Sequence, residues 1–256
     1  MSVFAPAPGR APLGRMIGAQ ALMETRLLLR NGEQLVLAVV IPLLVLVGVT
    51  EAGARVDLGP GRRIDVLTPG VLALAVLSTA FTSVAISTGF ERRYGVLKRL
   101  GASPLPRTGL LVGKAGGVLI VLVTQLAVIA AVAAVLGWQP RTTVPGIAGV
   151  LVFVLLGTAA FGSLALLMAG TLRAEATLAV ANLVYLLLLV GGGLIVPLDL
   201  YPEATRATLA LLPSAALAEG LRDLLGGGGF DLAAAVVLTA WAAVGTALAA
   251  RTFRWE

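Results

Sequence analysis

Apolar residues gather into six long runs whose central parts carry no Asp, Glu, Lys or Arg, and the polar residues collect in the short stretches between them. A bilayer hydrocarbon core of about 30 Å needs roughly 20 predominantly apolar residues per helical crossing. The runs near 33–50, 67–90, 109–137, 144–170, 175–196 and 231–251 have that length and predict six transmembrane helices. Pro42 thins or kinks the first of them, which a bundle tolerates because neighbouring helices can re-satisfy the freed carbonyl. The connections at 138–143 and 171–174 are short, so the spans they join are antiparallel neighbours.

Two flanking stretches follow other patterns. Over 13–31, Leu13, Met16, Ile17, Ala21, Leu22, Leu27 and Leu28 alternate at helical spacing with Arg15, Gln20, Glu24, Arg26 and Arg30. This predicts an amphipathic interfacial helix on the cytoplasmic leaflet, or a helical extension of the first span. Residues 1–12 hold Pro6, Pro8 and Pro12 and no apolar h-region, which predicts a disordered tail, retained and not a signal peptide. The stretch 197–230 is broken by Pro197, Pro202 and Pro213 and ends in Gly226 to Gly229. Its apolar pieces are too short to cross, so 197–225 reads as a re-entrant outer hairpin before the last span, or as a surface loop with two helical turns.

Composition narrows the class. At 58% hydrophobic and 12% charged, with mean hydropathy +0.98, the chain is an all-α polytopic membrane protein and not a soluble domain. The side holding both termini and the 91–114 segment collects 13 of the 19 Lys and Arg residues, so the positive-inside rule places both termini in the cytoplasm. The net charge of +6 sits beside apolar runs instead of along a solvated stripe, which points to lipid headgroups and away from nucleic acid. With neither His nor Cys, the commonest metal ligands and general bases are missing.

Chemistry concentrates in Gly89 to Lys114. Read as one helix over 91–101, it places Tyr94, Leu97 and Leu100 on one face, with Arg92, Arg93, Lys98 and Arg99 around the rest. Pro104 and Pro106 end the turn before the third span restarts near Arg107. Such a short charged rod suits a docking knob; topology and anionic lipid alone explain the arginines but not Glu91, Tyr94, Gly95 or the paired prolines. The nearby run from Gly109 to Lys114 and Ala115 is not a phosphate-binding loop, because three residues separate its glycines and Ala replaces the Ser or Thr that would hold magnesium. Any ATP hydrolysis therefore belongs to a separate polypeptide.

The run ERRYGVLKRLGASPLPR with the following Gly113-Lys114 resembles the intracellular coupling segment of type 2 ABC exporter permeases, a family that includes daunorubicin-type drug-efflux permeases and permeases for polysaccharides and teichoic acids. Gly191 to Arg222 is similar to the family's fifth-span end and post-span hairpin, with Leu212-Pro213-Ser214 as a small departure. The resemblance extends over about 13–254. It implies a permease without an ATPase site of its own, paired with a second permease copy, as homodimer or heterodimer, and with two ATPase subunits that carry ATP and Mg. It further implies ATPase-coupling roles for Glu91, Arg92, Arg93, Tyr94, Gly95, Leu97, Lys98 and Arg99. Small outer loops favour the drug-like subgroup, with apolar or amphiphilic cargo leaving across a bacterial plasma membrane.

Within the spans, Ala75, Thr79, Ser83 and Ser87 recur every four residues, a spacing that favours close helix packing over substrate lining. Gln125, Asn182 and Tyr185 need polar partners in an apolar medium and are expected at a dimer interface or along the pathway. Gly191 to Gly193 allow a bend or a close approach to a symmetry mate. A secondary transporter usually buries an Asp, Glu or His for coupling, and the spans supply none by this reading. A non-transporting scaffold would leave the coupling segment unexplained.

Overall fold

The computed structural model describes residues 11–32, 36–51 and 61–252, and among them every regular element is helical. The expected tail at 1–12 therefore lies outside the described residues except for Ala11 and Pro12, whose carbonyl caps the first helix. Helix α1 runs Leu13–Arg30. A π-helical turn, Val36–Val40, leads into α2, Ile41–Glu51. Next comes one long rod made of α3 (Arg63–Val76), a π-helical stretch (Leu77–Ser83) and α4 (Val84–Arg93). The short α5 (Val96–Gly101) precedes α6 (Arg107–Val135), α7 (Val144–Thr171) and α8 (Ala174–Gly191). After a 3-10 turn at Leu198–Leu200 come α9 (Glu203–Leu209), α10 (Pro213–Leu225) and α11 (Leu232–Thr252).

Among the described residues, five helices are long and apolar enough to cross a membrane: the Arg63–Arg93 rod, Thr108–Val135, Val144–Thr171, Ala174–Gly191 and Leu232–Thr252. The first apolar run gives only the shorter helix Ala38–Glu51, with residues 33–35 outside the described set. The rod is the centre of the molecule. It is packed against α2, α6, α7, α8 and α10, and 94% of its apolar window is enclosed, against 22% to 39% for the other four. Side chains such as Val71, Ala75, Leu77, Ala80 and Ala85 fit here because small and branched residues let helices approach closely where lipid offers no hydrophobic drive.

The π-helical and proline features are tied together by one amide. Pro42 cannot donate to the carbonyl of Ala38, four residues earlier, and the Gln125 side-chain amide of α6 donates to that carbonyl instead. The Gln125 carbonyl accepts from the Thr79 hydroxyl at 2.5 Å, so one side chain joins three segments of the bundle. At 2% exposure Gln125 is enclosed within the subunit. Both ends of the amide, expected to need polar partners, find them inside the chain.

One element boundary differs from expectation. The fifth span was expected to reach 196, but α8 ends at Gly191, since Gly193 takes a left-handed conformation (φ 74°) and the chain leaves the helix there. The 197–225 stretch, expected as a hairpin or as a loop with two helical turns, holds α9 and a thirteen-residue α10 started by Pro213. One face of α10 is buried from Pro213 through Leu225 against α3 and α7.

Candidate functional site

The charged segment begins on α4 and does not form one straight helix through 101. Tyr94 closes α4, Gly95 sits in the left-handed region at φ 68°, and α5 restarts at Val96. Only glycine takes that conformation without steric cost, so the break is written into the sequence at Gly95. The expected shared face of Tyr94, Leu97 and Leu100 is thereby corrected: Tyr94 is 64% exposed and Leu97 is 2% exposed. Leu97 anchors α5 inward, while Lys98 and Arg99 point outward. Phe90 stacks on Tyr94 with ring centroids 6.1 Å apart, and the Arg93 guanidinium lies 5.8 Å from the Tyr94 centroid, which holds the exposed ring in place. Ser103 donates to the Leu100 carbonyl at 2.6 Å and accepts from the Leu105 amide, closing the turn before α6.

The first two charges of the segment face the protein, and the third, Arg93, lies at the surface. Glu91 accepts from the Lys114 ammonium at 2.8 and 3.0 Å, and Lys114 also donates to Glu24 of α1 at 3.1 Å. Gln20 donates to the same Glu24 carboxylate at 2.8 Å. The Lys114, Glu24 and Glu91 side chains are 7%, 5% and 15% exposed, so this is a desolvated cluster of one cation between two carboxylates. Arg92 reaches the C-terminal end of α7, donating to the carbonyls of Gly170 (2.6 Å) and Leu172. A cation there complements the negative end of the helix. Arg93 pairs with Glu175 on the first turn of α8. The segment thus has an inner layer, Glu91 and Arg92, that braces it against α1, α6 and α7, and an exposed layer, Arg93, Tyr94, Lys98 and Arg99, in which Arg93 reaches Glu175 of α8 at the surface.

Helix α1 takes part in the brace with its polar side. Gln20, Glu24, Thr25 and Leu28 are buried against α6, whereas Leu13, Leu22, Leu27 and Leu29 are exposed by about half. The buried polar side is held by the counter-charge at Lys114, and the exposed leucines leave an apolar face on the opposite side. A seam of glycines permits the contact: a Cβ on Gly117 would lie 2.6 Å from the Glu24 Cβ, and one on Gly113 would lie 2.6 Å from the Gln20 Cγ.

Glu24, Gln20 and Lys114 were not among the site residues read from the sequence. The available signal was the lone Lys114 within an apolar run, flanked by Gly113, Gly116 and Gly117. The absence of ionisable groups from the spans is corrected too, since Glu91 and Lys114 lie within helices long enough to cross. Of the remaining candidates, Thr79 and Ser83 are buried at 1% and 4% exposure and pack in the π-helical stretch. Ser87 is half-buried and donates back to the Val84 carbonyl. Tyr185 is 1% exposed within the core, and its hydroxyl has no partner among the described residues. Asn182 is half-buried, and its Oδ1 likewise lacks a partner there.

At the other end of the central rod, Arg222 of α10 clamps the end of α8. It donates to the carbonyls of Gly193 (2.9 Å) and Leu194 (2.7 Å) and pairs with Glu219 at 2.7 Å. Burial pushes its guanidinium below the ordinary value, and Glu219 opposes that shift. This residue was also missed, because its partners are backbone carbonyls that no side-chain pattern announces.

A search of curated proteins finds no significant match. The family model described as ABC-2 type transporter matches residues 20–225, which covers the glutamate of α1, the whole coupling segment, the central rod and the Arg222 clamp. Permeases of this kind carry no ATPase of their own and work with separate ABC ATPase subunits. The chain belongs to the ABC-2 type transporter family, as a membrane permease component of an ABC transporter.

Proposed function

We propose that this permease exports an apolar or amphiphilic compound, drug-like or lipid-like, from a bacterial cell, driven by two ATPase subunits that grip its Tyr94–Arg99 knob. The observation that carries the proposal is the two-layer build of that knob, in which Arg93, Tyr94, Lys98 and Arg99 are exposed while Glu91 and Arg92 tie it to α1, α6 and α7. A load applied to the outer layer passes through short charge-assisted bonds into α6, α7 and α8. Six crossings, cytoplasmic termini and a re-entrant α9–α10 hairpin belong to this proposal, with the α2 run as the first crossing.

A second permease copy is part of the same reading. The outward face of α8 leaves Leu183, Leu186, Leu187 and Val190 between 54% and 75% exposed, with the Asn182 amide beside it, a surface for lipid or a paired copy. An apolar cavity of about 340 Å³ between α6, α7 and α11, lined by Val118, Leu155, Leu166 and Thr246 among others, supports apolar over strongly polar cargo.

The buried Glu24, Lys114 and Glu91 also favour a second reading, an ion-coupled transporter. One experiment separates the two. The permease is assembled with its ATPase, and Lys98→Glu with Arg99→Glu is introduced together, two exposed positions without a folding role. Substrate-stimulated ATP hydrolysis is expected to fall at least tenfold while the melting temperature of the permease holds. Unchanged stimulation, or uptake of a proton gradient by the permease alone, would sink the coupling reading.

A further inference from the structure

The end of the bundle opposite the Glu91–Lys114 cluster carries a second, open cavity of about 690 Å³ with a mixed polar and apolar lining, within the range of roughly 300–1,000 Å³ common for ligand sites. Four segments that are distant in sequence supply its charged lining: Arg62 and Asp65 at the start of α3, Arg141 between α6 and α7, Asp199 in the 3-10 turn, and Glu219, Arg222 and Asp223 on α10. The apolar cavity at mid-bundle has no such lining, with Lys114 as its one charged residue.

Some of these charges already have work inside the chain. Arg222 holds the Gly193 and Leu194 carbonyls and Glu219, Glu219 also accepts from the Leu198 amide, and Asp65 accepts from the Gln139 amide. Arg62, Arg141, Asp199 and Asp223 have no side-chain hydrogen bond or ion pair among the described residues. Two cations and two carboxylates therefore face one cavity without pairing with each other. Their backbones are fixed independently: the Arg141 amide donates to the Leu225 carbonyl at 2.9 Å, and the Arg206 guanidinium holds the Asp199 carbonyl at 2.7 Å. The carboxylates also form one group. Asp223 feels Glu219 and Asp199, and the Asp231 carboxylate from the start of the last crossing, and Arg222 is the cation that offsets them.

We propose that this cavity binds a zwitterionic phosphoester, in which Arg62 and Arg141 take the phosphate and Asp199 and Asp223 take an ammonium group a few bonds away. Guanidinium groups match phosphate oxygens in geometry and charge, and carboxylates match a primary ammonium. Because Arg222 joins the cavity to the end of α8, occupancy is felt where the fifth crossing stops being helical. The chemistry is shared by phosphoethanolamine-type lipid headgroups and by free amino-phosphoesters. The assignment does not rest on the exporter reading, and its test needs no ATPase.

The full chain, stripped of lipid in an uncharged maltoside detergent, is titrated by calorimetry with soluble phosphoethanolamine, dihexanoyl phosphatidylethanolamine, dihexanoyl phosphatidylglycerol, inorganic phosphate and ethanolamine. The ethanolamine-bearing phosphoesters are expected to bind about tenfold or more tighter than phosphate, ethanolamine or the glycerol lipid. Arg62→Ala with Arg141→Ala should abolish that binding, and Arg62→Lys with Arg141→Lys should retain it. Asp199→Asn with Asp223→Asn should erase the preference for ethanolamine over glycerol. A clear gain for the short-chain lipid over soluble phosphoethanolamine identifies a membrane headgroup, and equal affinities identify a free phosphoester. No binding by any probe at millimolar concentration, equal binding of phosphate and phosphoethanolamine, or unchanged binding in the alanine variant overturns the site.

Discussion

Lys114 shows how one side chain can decide the local structure. A buried ion pair is weak evidence of net stability, but removing one partner leaves an uncompensated charge and costs about 3–5 kcal/mol. Lys114→Met should therefore destabilise the permease by about that amount in detergent unfolding, because two carboxylates remain with no cation. Lys114→Met combined with Glu24→Gln and Glu91→Gln should recover most of the loss, since no buried charge is then left over. A triple variant as unstable as the single one would show that Lys114 acts by shape and not by charge. From the sequence, Lys114 was legible as the end of the coupling segment and as part of a false phosphate loop, and not as the centre of a buried cluster. Its partners lie 23 and 90 residues away, and no local pattern connects them. Gln125 was legible as a costly polar group, but its acceptor became visible only with Pro42 and Ala38 brought beside it.

At the scale of elements, hydropathy finds the crossing helices because their composition is uniform, and it misses what interrupts or inverts them. The π-helical stretch through Thr79 and the inward polar face of α1 depend on tertiary partners, whereas the break at Gly95 is local and carries no hydropathy signal. The α1–α6 seam gives a direct test. A Cβ on Gly117 would stand 2.6 Å from the Glu24 Cβ and 3.0 Å from the Ala21 carbonyl, so Gly117→Val must push α1 away and stretch the Glu24–Lys114 bond. Overpacking of this kind costs about 1–3 kcal/mol, and the melting temperature should fall accordingly. Gly18→Ala on the same α1 meets nothing within 4 Å and should be neutral. Helix α10 gives a pH test. Burial, and the Asp231, Glu219 and Asp199 carboxylates, hold the Asp223 carboxyl above its ordinary 3.8, with Arg222 opposing. The folded state then binds that proton more tightly than the unfolded chain does. Stability of the hairpin should decline as pH rises from the ordinary carboxylate value through the raised one, and remain at the lower level above it. Hydrogen exchange of the Pro213–Leu225 amides should show this slope, and Asp223→Asn should flatten it.

For the whole molecule, the central rod sets the geometry: its start carries the polar cavity and its end carries the coupling knob, about 45 Å apart at 1.5 Å rise per residue over 31 residues. That length exceeds a hydrocarbon core of about 30 Å, so a rod that crosses would set its two charged ends in opposite interfacial layers. The bias of Lys and Arg toward the knob's side predicts that the knob is the cytoplasmic end. Because the chain contains no cysteine, this can be read with single introduced thiols against a clean background. Lys98→Cys and Arg141→Cys replace exposed side chains at the two ends, each without a hydrogen-bonding role for the group removed. In intact cells a membrane-impermeant maleimide should label the Arg141→Cys protein and leave the Lys98→Cys protein unlabelled. After permeabilisation both should label. The reverse pattern would put the knob outside the cell, where no nucleotide cycle reaches it, and would transfer the cavity to the cytoplasmic leaflet.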